Sequence, residues 1–410
     1  MIVEQRIKDF ERFGMGMFVH FGPYSVVGKG EWAKLSLQIP WEEYMQAVNA
    51  FIPKEDWATE LVKAAKAAGA RYITLTTRHH DGFSLYDTKG LNDYDAPHIC
   101  GRDLVAEFVT ACRTEGIIPF FYHTLLDWHE PSYNTDFPAY LRYLRKSVEL
   151  LCTNYGEIGG FWFDGKWNKP QEDWEEDALY GMIRSYQPNT ILINNTGLEA
   201  RGALGNIELD SVTFERGRPQ PINMQDSPKY IASEMCQVFG SEYWGYAAMN
   251  LNLKSTAEII RDLTICRRYG SNYLINVGPM ADGTLRPIDK AILDILGQWV
   301  GIFHEILPAL PSEIKVINND DDFILRNGDN YYLVCNHVAK VGDPNVALTD
   351  PHAQNAVCFK TDKKVKEICW IDDGTTMNFK QQEDGTVNVA TTPFPYGKDL
   401  VVRVARLTFA

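Results

Sequence analysis

The sequence predicts an α/β protein: a (β/α)8-like barrel over residues 1–309, then a C-terminal antiparallel β-sandwich over residues 315–410. Three observations predict it. Strand-like and helix-like segments alternate through the first three quarters of the chain. The alternation stops at Leu307-Pro308-Ala309-Leu310-Pro311-Ser312, a proline-punctuated linker signal. Beyond it come only short two-residue-period segments divided by turn clusters.

In chain order, residues 15–21 read as the first strand, a compact apolar run ending in His20-Phe21-Gly22. Residues 57–68 repeat apolar positions at helical spacing and stop before Gly69. Strands at 72–76 and 117–122 flank a helix at 103–114, and a helix at 137–153 leads to the strand 160–164. A helix at 175–186 and a strand at 191–194 follow. Residues 196–246 are irregular, with short strands expected at 212–214 and 232–238. A helix at 256–268, a strand at 273–277 and a helix at 288–307 complete the series. This many βα repeats imply a closed parallel sheet. In the last quarter, strands are expected at 323–325, 331–335, 365–371, 387–389 and 400–407. Asn327-Gly328-Asp329-Asn330, Asp372-Asp373-Gly374 and Glu383-Asp384-Gly385 supply the turns between them.

Composition narrows the function classes. A net charge of −14 argues against nucleic acid or an anionic membrane surface as partner. No run of about 18 apolar residues exists, so no membrane-spanning helix is expected. The eight cysteines are scattered with no Cys-x-x-Cys pair, as core thiols in a reducing compartment would be. The first ten residues form a charged amphipathic pattern rather than a secretory signal, so a cytoplasmic location is expected, a removed leader aside. Oligomeric state is left open. Aromatic residues make up 12% of the chain; most fill a core, and a few would suit the apolar faces of sugars.

The candidate functional residues cluster at expected strand ends. Gly160-Phe161-Trp162-Phe163-Asp164-Gly165 reads as a buried strand whose last side chain is an acid, followed at once by a turn. A capping aspartate would give the same local pattern. Its neighbours favour chemistry: His20 closes the first strand, and Glu31 and Trp32 sit in the Gly-rich loop after it. His79 and His80 follow the second strand, and Tyr122 and His123 end the third. Polar groups from four successive strands converge on one rim in a barrel. A metal hydrolase could recruit these histidines, but the first strand has no His-x-His pair and no His lies at helical i, i+4 spacing with a Glu. Neither a Gly-x-Ser-x-Gly elbow nor a Gly-x-Gly-x-x-Gly phosphate loop is present. Glycoside hydrolysis needs two carboxylates, hydroxyl-binding groups and an aromatic support, and the rim offers all three.

Further motifs, in combination and in order, resemble one family. Phe18-Val19-His20-Phe21-Gly22-Pro23-Tyr24-Ser25, Gly30-Glu31-Trp32, His79-His80-Asp81-Gly82-Phe83, Leu126-Asp127-Trp128, Trp162-Phe163-Asp164-Gly165 and Leu274-Ile275-Asn276-Val277-Gly278-Pro279 are similar to the α-L-fucosidases of glycoside hydrolase family 29. The resemblance implies a barrel followed by a β-sandwich, and a retaining exo-acting enzyme with no cofactor and no metal. Its implied substrate is a fucosylated oligosaccharide or glycoconjugate. It implies Asp164 as nucleophile, and His20, Glu31, His79, His80, Tyr122 and Trp162 as fucose-binding positions with Trp32 beside them. Two departures stand out: His20-Phe21-Gly22 replaces His-Trp-Gly, and Phe121-Tyr122-His123 replaces Tyr-Tyr-Ser, which leaves both Tyr122 and His123 as sugar-facing candidates. The resemblance implies that the acid/base comes from the variable region after the nucleophile, where Glu199, Glu208, Glu215, Glu234 and Glu242 are candidates. Glu215, after a short apolar strand, matches the family's Thr-Pro-Glu position, whereas Glu234 resembles a structural glutamate. The reading is a retaining exo-α-L-fucosidase working by double displacement. Its rivals are a glycosidase for another 6-deoxy or galacto-configured sugar, and a carbohydrate-binding protein without catalysis.

Overall fold

The computed structural model describes residues 1–410 except 224–227, 241, 344 and 347. Eight parallel strands close into a barrel: β1 (Met15–Val19), β2 (Tyr72–Arg78), β3 (Ile118–Thr124), β4 (Gly160–Asp164), β5 (Ile191–Asn194), β6 (Ser211–Thr213), β7 (Ala232–Val238) and β8 (Asn272–Val277). Each pairs with the next in sequence, and β8 closes on β1 with Phe18 opposite Asn276. Both faces of these strands are buried, which is why they read as near-continuous apolar runs.

Alternation then sorts the side chains. On β4, Phe161 and Phe163 pack outward against the helices, while Trp162 points inward with Phe18, Phe120, Tyr122 and Leu274. The helix Gln5–Glu11 closes the amino end of the barrel, where Phe10 meets the ring of Phe120 at 5.7 Å and that of Tyr72 at 5.6 Å. The opposite, carboxyl end is left for the loops.

The helical ring is uneven. Long helices follow β2 (Leu104–Glu115), β3 (Phe137–Asn154), β4 (Glu176–Tyr186), β7 (Thr256–Arg268) and β8 (Pro287–Phe303). Among the described residues none follows β5 or β6. The expected helices at 57–68 and 256–268 form over those spans. Trp41–Asn49, also helical, was not anticipated from the sequence.

A five-stranded antiparallel sheet follows, in the spatial order Val365–Trp370, Arg403–Phe409, Asn330–Cys335, Phe323–Asn327, Leu310–Pro311. A three-stranded sheet of Ala356–Lys360, Thr386–Ala390 and Phe379–Gln381 covers it. Leu333, Ile368, Trp370 and Leu407 of the first sheet share one core with Val357, Phe359, Val387 and Val389 of the second. The Pro-rich stretch thus contributes an edge strand, Leu310–Pro311. The strand 379–381, Phe-Lys-Gln, is too short and polar to announce itself in the sequence, whereas the apolar run 356–360 was legible and is absent from the expected strands. This unit docks on the last barrel helix, where the Trp299 indole donates to the Val402 carbonyl at 3.1 Å. No helix among the described residues is long and apolar enough to cross a membrane.

Candidate active site

At the carboxyl end of the barrel lies a cavity of about 830 Å³, floored by Phe18, Tyr122 and Trp162. Asp164, the last residue of β4, reaches into it with a side chain 15% exposed. The next residue has φ 102°, and a Cβ there would lie 2.7 Å from that of Leu126. Only Gly165 permits this turn, and the turn is what leaves the Asp164 carboxylate at the cavity wall.

Three groups hold that carboxylate. Tyr122 donates its hydroxyl to Oδ2 at 3.1 Å, and the Trp167 indole and the Asn195 amide donate to Oδ1 at 2.9 and 3.3 Å. His80 Nε2 stands 3.6 Å from Oδ2. Burial lifts the Asp164 pKa above the usual aspartate value, and the Trp167, Tyr122 and Asn195 donors oppose the rise.

Glu215 comes from the other side, two residues after β6. Asn195 Nδ2 donates to its Oε2 at 2.8 Å while also reaching Asp164. Thr213 Oγ1 and the Gly197 N–H both donate to Asn195 Oδ1, so the amide cannot flip and its NH₂ must face the two carboxylates. Burial, and then the Asp164 charge, push the Glu215 pKa above the ordinary glutamate value. One nitrogen thus bridges the pair, and the bridged oxygens can be no farther apart than the sum of 3.3 and 2.8 Å.

The histidines are fixed as neutral acceptors. Asn276 gives its amide N–H to the Trp244 carbonyl at 2.6 Å, so its Oδ1 must accept from His20 Nδ1 at 2.7 Å. His20 Nε2 is then left with a lone pair. Thr124 donates to the Leu126 carbonyl and accepts from His80 Nδ1 at 2.7 Å, which leaves His80 Nε2 in the same state. Burial lowers both pKa values to about 3. His79 stacks on Tyr122 at 5.5 Å, and its buried Nδ1 has no partner among the described residues. Glu31 Oε2 accepts the backbone N–H groups of Trp244 and Gly245 at 3.0 and 2.7 Å. Trp32 stands edge-on to His80 at 5.4 Å.

His20, Glu31, Trp32, His79, His80, Tyr122, Trp162, Asp164 and Glu215 therefore all line one cavity. His123 does not, contrary to expectation. It follows the inward Tyr122 on a strand, so it points outward; its Nε2 meets Ser147 Oγ at 2.8 Å on the helix behind. Of the acid/base candidates, Glu199 and Glu242 line the cavity and are exposed. Glu208 is exposed and lies outside the cavity. Glu234 is fully buried inside the barrel, accepting from Trp162 Nε1 at 2.9 Å and from the Tyr72 hydroxyl, with its pKa raised to about 7 by burial. The sequence reading missed Asn195, Trp167 and Trp244. For Asn195 a signal existed: it directly follows the strand 191–194, as Asp164 ends its own.

The chain is similar in sequence and fold to known proteins. The family profile described as Alpha-L-fucosidase matches residues 3–305. Tissue alpha-L-fucosidase of Homo sapiens is 28% identical over 338 residues, spanning 73% of this chain and 68% of that protein. Alpha-L-fucosidase isoenzyme 1 from Paenibacillus thiaminolyticus has the same architecture, with a TM-score of 0.81, 28% identity and 99% of each chain covered. An α-L-fucosidase from Bacteroides thetaiotaomicron, solved as a trapped covalent intermediate with 2-fluoro-fucosyl fluoride, shares the fold at 22% identity. Its TM-score is 0.81, over 99% of this chain and 96% of that one.

Proposed function

The chain belongs to the α-L-fucosidase family, and on that premise we propose that it is a retaining exo-α-L-fucosidase with Asp164 as nucleophile and Glu215 as acid/base. The observation that carries the residue assignment is the Asn195 amide bridging these two carboxylates at 3.3 and 2.8 Å.

In the first step an Asp164 oxygen attacks the anomeric carbon, and Glu215 gives its proton to the departing glycosidic oxygen. Glu215 must be neutral at that moment, and burial together with the negative Asp164 favours that state. Once Asp164 is esterified its charge is gone, and the Glu215 pKa falls. The carboxylate so produced can take a proton from water, which attacks the same carbon and releases fucose with its configuration retained. The lone pairs of His20 and His80 Nε2 accept sugar hydroxyl hydrogens, and the free oxygen of Glu31 adds a third acceptor.

The cavity is a dead end at the floor of Phe18, Tyr122 and Trp162, which suits one terminal sugar. An aryl α-L-fucoside should be hydrolysed, with NMR showing the α-anomer of fucose first. Initial β-fucose would contradict the mechanism. Preference for the matching L-galactoside over the fucoside would overturn the substrate, since an apolar site rejects an added hydroxyl by only about 10²-fold.

A further inference from the structure

Trp167 sits in an unusual position for a large apolar side chain. It lies on the single 3₁₀ turn Lys166–Asn168 directly after Gly165, and 38% of it is exposed. The turn is tied down on both sides of it: Lys166 pairs with Glu176, and Asn168 accepts the Tyr133 hydroxyl at 2.6 Å. The indole itself has no buried seat. Its Nε1 donates to Asp164 Oδ1 at 2.9 Å, and one face lies nearly parallel to Trp32 at 6.1 Å. Gly197 borders the ring edge, where a Cβ would come 3.5 Å from Cδ1. The ring therefore stands between the nucleophile and the outer cavity, where Pro170, Leu198 and Ala200 continue an apolar wall.

We infer that Trp167 is a positioning residue: its N–H fixes Asp164 for attack, and its exposed face receives the sugar or aryl group attached to fucose. The inference rests on Asp164 being the nucleophile. Aglycone contact would hold the indole in place, and the indole would hold the carboxylate, so binding energy away from the bond being broken would act on the chemical step.

The groups facing Asp164 are His80 after β2, Tyr122 on β3, Asn195 after β5, Glu215 after β6 and Cys236 on β7. None of these changes when Trp167→Phe removes the N–H and keeps a ring. That variant should raise the acid limb of kcat/KM by about one pH unit, and lower kcat about tenfold for fucosyl fluoride and a fucosyl disaccharide alike. Trp167→Ala should add a rise in KM for the disaccharide and none for the fluoride. Carbon-13 NMR of labelled aspartate, assigned with Asp164→Asn, should show the Asp164 carboxyl titrating higher in Trp167→Phe. An unmoved acid limb and an unmoved Asp164 titration would overturn the inference, as would equal losses of both substrates in Trp167→Ala. The titration needs no turnover, whereas wild-type activity in Asp164→Gly would instead refute the nucleophile.

Discussion

The two sides of the barrel rim deliver their groups by different means. From β1 to β4, the site is made of strand ends and the turns directly after them: His20, His79, His80, Tyr122, Trp162 and Asp164. Five-to-seven-residue strands backed by helices fix these side chains, and His20 and His80 are each locked by an Nδ1 hydrogen bond behind the ring. From β5 to β7 the strands shrink to four and three residues before lengthening again, and no described helix follows the first two. Asn195, Glu215 and Trp244 there hang on loops, and a side-chain network does the work of a strand: Thr213 holds Asn195, and Asn195 holds both carboxylates. The proposed nucleophile, Asp164, which must be placed within fractions of an ångström, is on the rigid side. The proposed acid/base, Glu215, is on the looped side.

Substitutions on each side should separate these roles. The largest effect is expected at Asp164→Gly, which should cut turnover by several powers of ten for every substrate while the protein stays folded, as circular dichroism would show. Glu215→Ala should lower turnover of natural glycans by about 10²–10⁴-fold and spare the first step with a nitrophenyl or fluoride donor. Azide should then restore turnover and yield a fucosyl azide of retained configuration. If Glu234→Ala behaves this way and Glu215→Ala does not, the looped side has been misread.

Asn195→Ala sharpens the comparison, because it removes the amide that joins the two carboxylates. About 1.5–3 kcal/mol of transition-state binding should be lost, and the acid limb should move to higher pH, since the Asn195 amide lowers the pKa of both carboxylates.

The last effect concerns not turnover but stability on the strand side. His20 and His80 titrate near 3 when folded against about 6.5 when unfolded, so the neutral forms are favoured by the fold. Their contribution is complete above pH 6.5 and is lost as pH falls toward 3, by at most about 1.4 kcal/mol per pH unit for each ring. Denaturant midpoints measured between pH 7 and 4.5 should therefore fall less steeply in His80→Asn than in wild type.

The same contrast explains what could be read from the sequence. The barrel, the sandwich and the strand-end residues were legible because strands advertise themselves by apolar runs and a terminal polar residue. Asp164 was legible from Trp162-Phe163-Asp164-Gly165 because the turn demands that glycine. Tyr122 and His123 were both kept as candidates where the two-residue period, with Tyr122 inward, sends His123 outward. On the looped side no period exists. The family resemblance narrowed the acid/base to five glutamates, and Glu215 stood out through its short preceding strand and its match to the family's Thr-Pro-Glu position. Trp244 had no signal, since its place depends on a backbone path fixed by Glu31 more than two hundred residues away.

The central claim is that Asp164 forms a bond to the sugar. Incubation with 2-deoxy-2-fluoro-α-L-fucosyl fluoride, followed by proteolysis and peptide mass spectrometry, tests it most directly, because the fluorine slows release of the intermediate more than its formation. A fluorofucosyl adduct on Asp164, absent from Asp164→Gly, is the predicted result. An adduct on Glu215 or another carboxylate, with Asp164 unmodified, would contradict the account.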